Sequence, residues 1–151
     1  MTIRPCLASD AVSIEKLFHE FVAYLRSIGD ENIYRFGAQQ YLADGFDADS
    51  ALRGLVAEDE SGLMGYVLFC RTYDGDYVRG FYIVDLYVRQ GSRGSGIGRA
   101  LMNGVRGVAS DEGITRLSWS VHTNNKAALR FYEALGAKYS EDTHVMHLDL
   151  S

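Results

Sequence analysis

The run Ile83-Val84-Asp85-Leu86-Tyr87-Val88, followed after a short polar link by Arg93-Gly94-Ser95-Gly96-Ile97-Gly98-Arg99, decides how this chain folds. The first part is an apolar run of strand length and the second opens a helical pattern, so a strand feeds a helix through a glycine loop. Glycines at positions 94, 96 and 98 remove the side chains that would hold an oxyanion away from the backbone. The helix that follows aims its free N–H groups at the same point. Flanked by Arg93 and Arg99, the loop reads as a cradle for phosphate rather than as a connecting turn. A dinucleotide fingerprint would need glycine where Arg99 stands, and a P-loop would need Gly-Lys followed by Ser or Thr, which the chain never supplies.

Outward from the loop, the pattern predicts a β-α-α-β-β-β-α-β-α-β order. Residues 2–5 form a short strand, and Asp10 caps a helix whose apolar positions Val12, Ile14, Leu17, Phe18, Phe21, Val22 and Leu25 recur at helical spacing until near Gly29. A second helix ends at Asp44-Gly45. Leu52–Glu58 and Leu63–Arg71 flank the turn Asp59-Glu60-Ser61-Gly62 as a hairpin, and Asp74-Gly75-Asp76 marks a turn before the strand 80–88. A helix over 96–112 buries Ile97, Leu101, Val105 and Val108. Residues 116–121 are a strand, 125–135 a helix and 143–150 a final strand. Such an order makes an α+β domain with a mixed, mostly antiparallel sheet flanked by helices, in which the passage from Ile83 to Val121 implies one parallel pair. Ligands sit where such a sheet changes direction, and the glycine loop lies there.

A length of 151 residues with 47% apolar residues fits a single domain, 1–151, with a core of its own. Twenty acidic against fifteen basic residues give a formal charge of −5, which argues against nucleic acid as a partner because that binding needs Lys and Arg against phosphates. Two cysteines, Cys6 and Cys70, lack metal-ligand spacing and disulfide density, so a reducing, cytoplasmic setting is expected. The opening Met1-Thr2-Ile3-Arg4-Pro5 lacks a signal-peptide core, and no stretch reaches membrane-spanning length, so no membrane association is expected. His144 and His147 fall on opposite faces of the final strand, which rules out a two-histidine metal pair there, and no metal is expected.

A second segment, Asn125-Lys126-Ala127-Ala128-Leu129-Arg130-Phe131-Tyr132-Glu133-Ala134-Leu135-Gly136-Ala137, reads as a short helix carrying a tyrosine and closed by glycine. With the glycine loop it resembles the GNAT superfamily of N-acetyltransferases. Arg93, Gly96 and Gly98 match the superfamily's acyl-CoA pattern, and Asn125, Ala128 and Tyr132 its second motif. Asp44-Gly45-Phe46, Leu55-Val56-Ala57-Glu58, Tyr73-Asp74 and Asp85-Leu86-Tyr87-Val88 are most similar to the spermidine/spermine (diamine) branch.

The resemblance implies acetyl-CoA as co-substrate, its pyrophosphate on the backbone of Gly94, Ser95, Gly96, Ile97, Gly98 and Arg99 beside Arg93. It implies a pantetheine arm along Leu86-Tyr87-Val88, with Asn125 and Ala128 on the far side. Tyr132 is then the acid that protonates the departing thiolate, a phenol with an ordinary pKa of ~10 being protonated at neutral pH. Outside the motif, Tyr132 beside Phe131 would read as packing. Asp85 has two readings: a base, or binding group for the cationic amine, and a paired strand carboxylate. The diamine branch carries Glu where Val84 stands and an acid where Leu25 follows Tyr24, so two carboxylates of that branch are missing, while Tyr24 remains as a substrate contact. The resemblance also implies a homodimer. The expected activity is transfer of acetyl from acetyl-CoA to a primary amine of a small diamine-like or amino-acid-like molecule, directly, in a ternary complex. A protein or peptide amine as acceptor, and a non-catalytic acyl-CoA sensor, are the alternatives.

Overall fold

The computed structural model describes residues 1–47 and 49–150. Among these, strand β1 (Thr2–Pro5) leads to helix α1 (Ala11–Ser27) and helix α2 (Ala38–Gly45), then to strands β2 (Arg53–Asp59), β3 (Gly62–Tyr73) and β4 (Arg79–Val88). Helix α3 (Ile97–Asp111), strand β5 (Arg116–Ser118) and helix α4 (Lys126–Ala134) follow. The described strands form one sheet in sequence order, β1-β2-β3-β4-β5. Its first four strands are antiparallel, and β4 and β5 are parallel, so the mixed sheet expected from the element order is present.

Alternation along the strands sorts side chains onto two faces. Leu55, Val67, Phe69, Phe81 and Ile83 pack against Ile97, Leu101, Met102, Val105 and Ala109 of α3. Val56, Tyr66, Leu68 and Tyr87 pack against Ala11, Ile14, Leu17 and Phe18 of α1, with Tyr41 of α2. The hydrophobic stripe of α3 therefore explains its position, and its expected buried residues are in place except Val108, which is only partly buried.

Two features of the sheet shape the site. The parallel pairing joins only Gly80–Tyr82 to Arg116–Ser118, so the sheet parts beyond Tyr82 and the rest of β4 faces a wedge. A register slip between β3 and β4 sets Phe69 opposite Ile83 but Leu68 opposite Asp85, leaving Val84 as the extra residue of a bulge.

Several sequence expectations are corrected. Asp10 stands before the first turn of α1, but its side chain does not cap that helix. Its carboxylate accepts from the Leu7 amide at 2.7 Å and pairs with Arg4 at 2.8 Å, because Arg4 on β1 competes for it with two charged donors. The strand expected over 116–121 stops at Ser118, where the parting of the sheet removes its neighbour. No strand forms over 143–150. Val145, Met146, Leu148 and Leu150 are exposed there, since an alternating pattern forms no ladder without a strand beside it. His144 and His147 therefore lie on an exposed tail, not on opposite faces of a strand.

Candidate active site

The wedge between β4 and β5 opens into a cleft of about 480 Å³. Its floor is Leu86, Tyr87 and Val88 of β4. One end is made by Arg93, Gly94 and Gly96 of the loop with Ile97, Gly98 and Arg99 of α3. Tyr24 comes from α1, and Asn125, Ala128 and Tyr132 from α4. The structure thus gathers these residues, distant in sequence, around one space. Ser95 is not on the cleft wall, its hydroxyl turning back to donate to the Ser92 carbonyl at 2.6 Å, and Asp85 lies behind the wall.

The loop takes its shape from the glycines. Gly94 and Gly96 have φ of +82° and +83°, a region that costs other L-residues about 1–2 kcal/mol. Gly96 is the residue before the first turn of α3, and no side chain caps that turn. The amides of Ile97, Gly98 and Arg99 are the ones an α-helix leaves without internal partners, so they face the cleft as donors at the positive end of the helix dipole. Gly98 is needed for packing: a Cβ there would come within 3.1 Å of the Phe131 ring.

Arg93 is held in place before any anion arrives. Its Nε donates to the Val88 carbonyl at 3.0 Å, and its guanidinium lies 5.3 Å from the Tyr24 ring centre and 5.4 Å from that of Tyr87. Across the cleft, the Tyr24 hydroxyl donates to Asn125 Oδ1 at 3.0 Å, and the same oxygen caps α4 by accepting from the Ala128 amide at 3.2 Å. One asparagine therefore fixes the start of α4 and ties it to α1.

Tyr132 lines the cleft and stacks against Trp119 with ring centres 4.7 Å apart. Burial, and then the nearby Asp85 charge, push its phenol well above the usual tyrosine range, so it stays protonated. Asp85 accepts a hydrogen bond from the Tyr66 hydroxyl. Desolvation pushes the Asp85 carboxyl up to about 7, against the lowering effect of the bonds from Tyr66 and from the Leu86 amide. A carboxyl with that value exchanges protons near neutrality, next to a phenol that keeps its own.

Four cleft residues were not identified from the sequence: Phe21, Ser92, Ala127 and Phe131. Phe21 precedes Tyr24 by one helical turn and so shares its face, which is a legible signal. For Phe131 the signal is the space left at Gly98, which only the fold reveals. No described helix is long and apolar enough to cross a membrane.

The sequence pattern of the acetyltransferase (GNAT) family matches residues 14–137. This chain belongs to that family. As a GNAT protein it is an acetyl-CoA-dependent N-acetyltransferase, and the uncapped amides beside Arg93 fit the diphosphate of that co-substrate. It is 32% identical to thialysine N-epsilon-acetyltransferase of Bos taurus over 90% of this chain and 83% of that protein. An uncharacterized N-acetyltransferase of Bacillus subtilis is 28% identical over 100% of this chain and 97% of its own. In fold, the chain is similar to the crystal structure of a tetramutant of the BH1408 protein from Bacillus halodurans, with a TM-score of 0.82 and 22% identity over 98% of this chain and 100% of that one.

Proposed function

We propose that this enzyme acetylates the primary amine of a small molecule, of the lysine-like amino-acid or diamine class, by direct transfer in a ternary complex. The observation that carries this reading is the Tyr132 phenol on the cleft wall, with Asp85 next along β4 to the wall residue Leu86. Acetyl-CoA supplies an activated acetyl thioester. The amides of Ile97, Gly98 and Arg99, with Arg93, hold its diphosphate, and the unpaired edge of β4 at Leu86, Tyr87 and Val88 receives its extended arm. Asn125 and Ala128 bound the opposite side.

In the chemical step the amine nitrogen forms its bond to the carbonyl carbon as the carbon–sulfur bond breaks. Asp85, through a water, takes the proton that the ammonium must lose before attack, Tyr132 gives a proton to the departing thiolate, and the acylated nitrogen gives its second proton back to the Tyr132 oxygen. The thiolate leaves as a thiol, and Asp85 releases to solvent the one net proton of the reaction. Tyr24, on the wall that α1 gives the cleft, contacts the acceptor. The name of the bovine relative supports the acceptor class, since the amine it names is the terminal amine of a lysine analogue.

Thiol release from acetyl-CoA, measured with thialysine, lysine, spermidine, an aminoglycoside and a lysine-containing peptide, tests the reading. The highest kcat/KM is expected with a free small amine. A preference for the peptide would overturn the acceptor class, and thermal stabilisation by CoA with no turnover on any amine would overturn the chemistry.

A further inference from the structure

We propose that Tyr66, on β3 and outside the cleft, is a positioning residue for acetyl transfer: its hydroxyl fixes the Asp85 carboxyl, next along β4 to the cleft residue Leu86, for the exchange of the acceptor's proton. The inference rests on the reading of Asp85 as the base.

Three independent features of the fold converge on this pair. The first is the bulge. With unbroken alternation from Ile83, Asp85 would share the aliphatic face that packs on α3. The extra residue Val84, half exposed, changes the parity and brings Asp85 opposite Leu68, onto the face of Tyr66 and Tyr87. The second is Tyr66 itself. Its side chain is 0% exposed, its ring lies 6.5 Å from that of Tyr87, and its hydroxyl donates to Asp85 Oδ2. A buried phenol needs an acceptor, and a carboxyl drawn out of water needs donors, so each satisfies the other. The third is location. The β4–β5 pairing ends at Tyr82, so Asp85 stands where the sheet has already parted and where Tyr132 senses its charge.

Apolar packing alone gives no reason for a carboxyl, with the phenol that satisfies it, at this place. The residue opposite Asp85 on β3 is Leu68, and an aliphatic side chain at position 85 would cost less than a desolvated acid. A bulge, a buried phenol and a carboxyl at the mouth of the wedge make sense together as a device that keeps one proton acceptor oriented.

The groups that titrate around Asp85 come from each element packed on it. They are Tyr66 of β3, Tyr132 of α4 and Tyr87 of β4, and Tyr87 in turn senses Glu20 of α1, Arg93 and Arg89. Of the two bonds that favour the charged carboxylate, the one from Tyr66 is the stronger and the only one a side-chain change can remove. Its loss leaves desolvation less opposed, so the carboxyl titrates at higher pH.

The test follows Asp85 directly and through turnover. In protein labelled with 13C at the aspartate carboxyl carbons, the Asp85 signal is assigned by its disappearance in Asp85→Asn. The acid limb of kcat/KM is measured for acetyl transfer to thialysine. The expected result is that Asp85→Asn abolishes the limb, and that Tyr66→Phe moves both the limb and the 13C midpoint upward by about one to two pH units with KM for acetyl-CoA unchanged. If Asp85→Asn leaves the limb in place, the base reading fails and the proposal with it. If Asp85→Asn removes the limb but Tyr66→Phe moves neither midpoint, Asp85 stands as base and the role of Tyr66 is overturned. Should Tyr66→Phe not fold, a fluorinated tyrosine at position 66, a stronger donor of the same shape, is expected to move both midpoints downward, and its failure to do so overturns the proposal equally.

Discussion

Toward α3 the sheet presents Leu55, Val67, Phe69, Phe81 and Ile83, none of which can ionise, whereas toward α1 it presents Val56, Leu68, Tyr66 and Tyr87, with Asp85 beside them. The first face is covered mainly by α3 and the second by α1 with α2, yet they store different things. The α3 face holds free energy of burial. The α1 face holds polar groups whose ionisation the fold has altered, and the cleft opens where the two meet, at the start of α3. The division implies that stability and chemistry can be changed separately.

The largest effect expected is on stability. Leu101 is 0% exposed in the middle of the α3 stripe, and Leu101→Ala should lower the unfolding free energy by about 2–5 kcal/mol, read from denaturant midpoints. Turnover per folded molecule should not change, because Leu101 does not itself line the cleft. A fall in kcat matching the loss of stability would break the division.

Next comes the acid. Tyr132→Phe removes one oxygen and keeps the ring against Trp119, so the fold is retained while the proton donor is lost. A drop in kcat of about a hundredfold is expected, with acetyl-CoA affinity and melting temperature unchanged. Unchanged kcat would move Tyr132 to the packing side of the comparison, the reading it has without its motif.

Gly98 sharpens the boundary between the faces, because its missing side chain serves both. A Cβ at 98 meets the Phe131 ring at 3.1 Å, and both residues line the cleft. Gly98→Val should raise KM for acetyl-CoA about tenfold, from overpacking of about 1–3 kcal/mol, while kcat at saturation changes little. A lower kcat at unchanged KM would mean that the Phe131 shift reaches Tyr132, its neighbour at 5.2 Å between ring centres.

These positions differ in how far sequence alone reveals them. Gly94, Gly96 and Gly98 are legible because an anion cradle is local: glycines, arginines and the following helix lie within a few residues. The element order is legible for the same reason, each strand and helix carrying its own period. The bulge at Val84 is not, since a slip in register is a relation between β3 and β4 and leaves both sequences looking regular. Simple alternation through residues 83–88 sets Asp85 on the face opposite both Val84 and Leu86. The structure keeps Leu86 on the other face but makes Val84 the inserted residue, and Asp85 turns toward Tyr66 rather than lining the cleft. The tail over 143–150 errs the other way: its alternation is that of a strand, but a strand needs a neighbour, and none of the described strands extends beside it.

The smallest effect expected belongs to an ion pair on the scaffold side. Glu112 follows α3 and takes Arg53 of β2 at 3.0 and 2.8 Å and also Arg71 of β3, so it ties the end of the helix to two strands. The hydrogen bonds from Arg53, then Arg71, hold its carboxyl down at about 2, against an ordinary 4.5. A carboxyl whose folded value is depressed contributes its full stabilisation above the ordinary value and loses it as pH falls toward the folded one. Arg71 is largely in water, which screens the pair, so the contribution at neutral pH is about 1 kcal/mol or less. Glu112→Gln should therefore cost about that much at pH 7 and leave kcat unchanged, and the gap to the parent protein should narrow as pH falls from 4.5 toward 2. A gap that stays the same at pH 3 as at pH 7 would assign the loss to the shape of the contact rather than to charge, and the scaffold would then be held at that corner, as elsewhere, by packing.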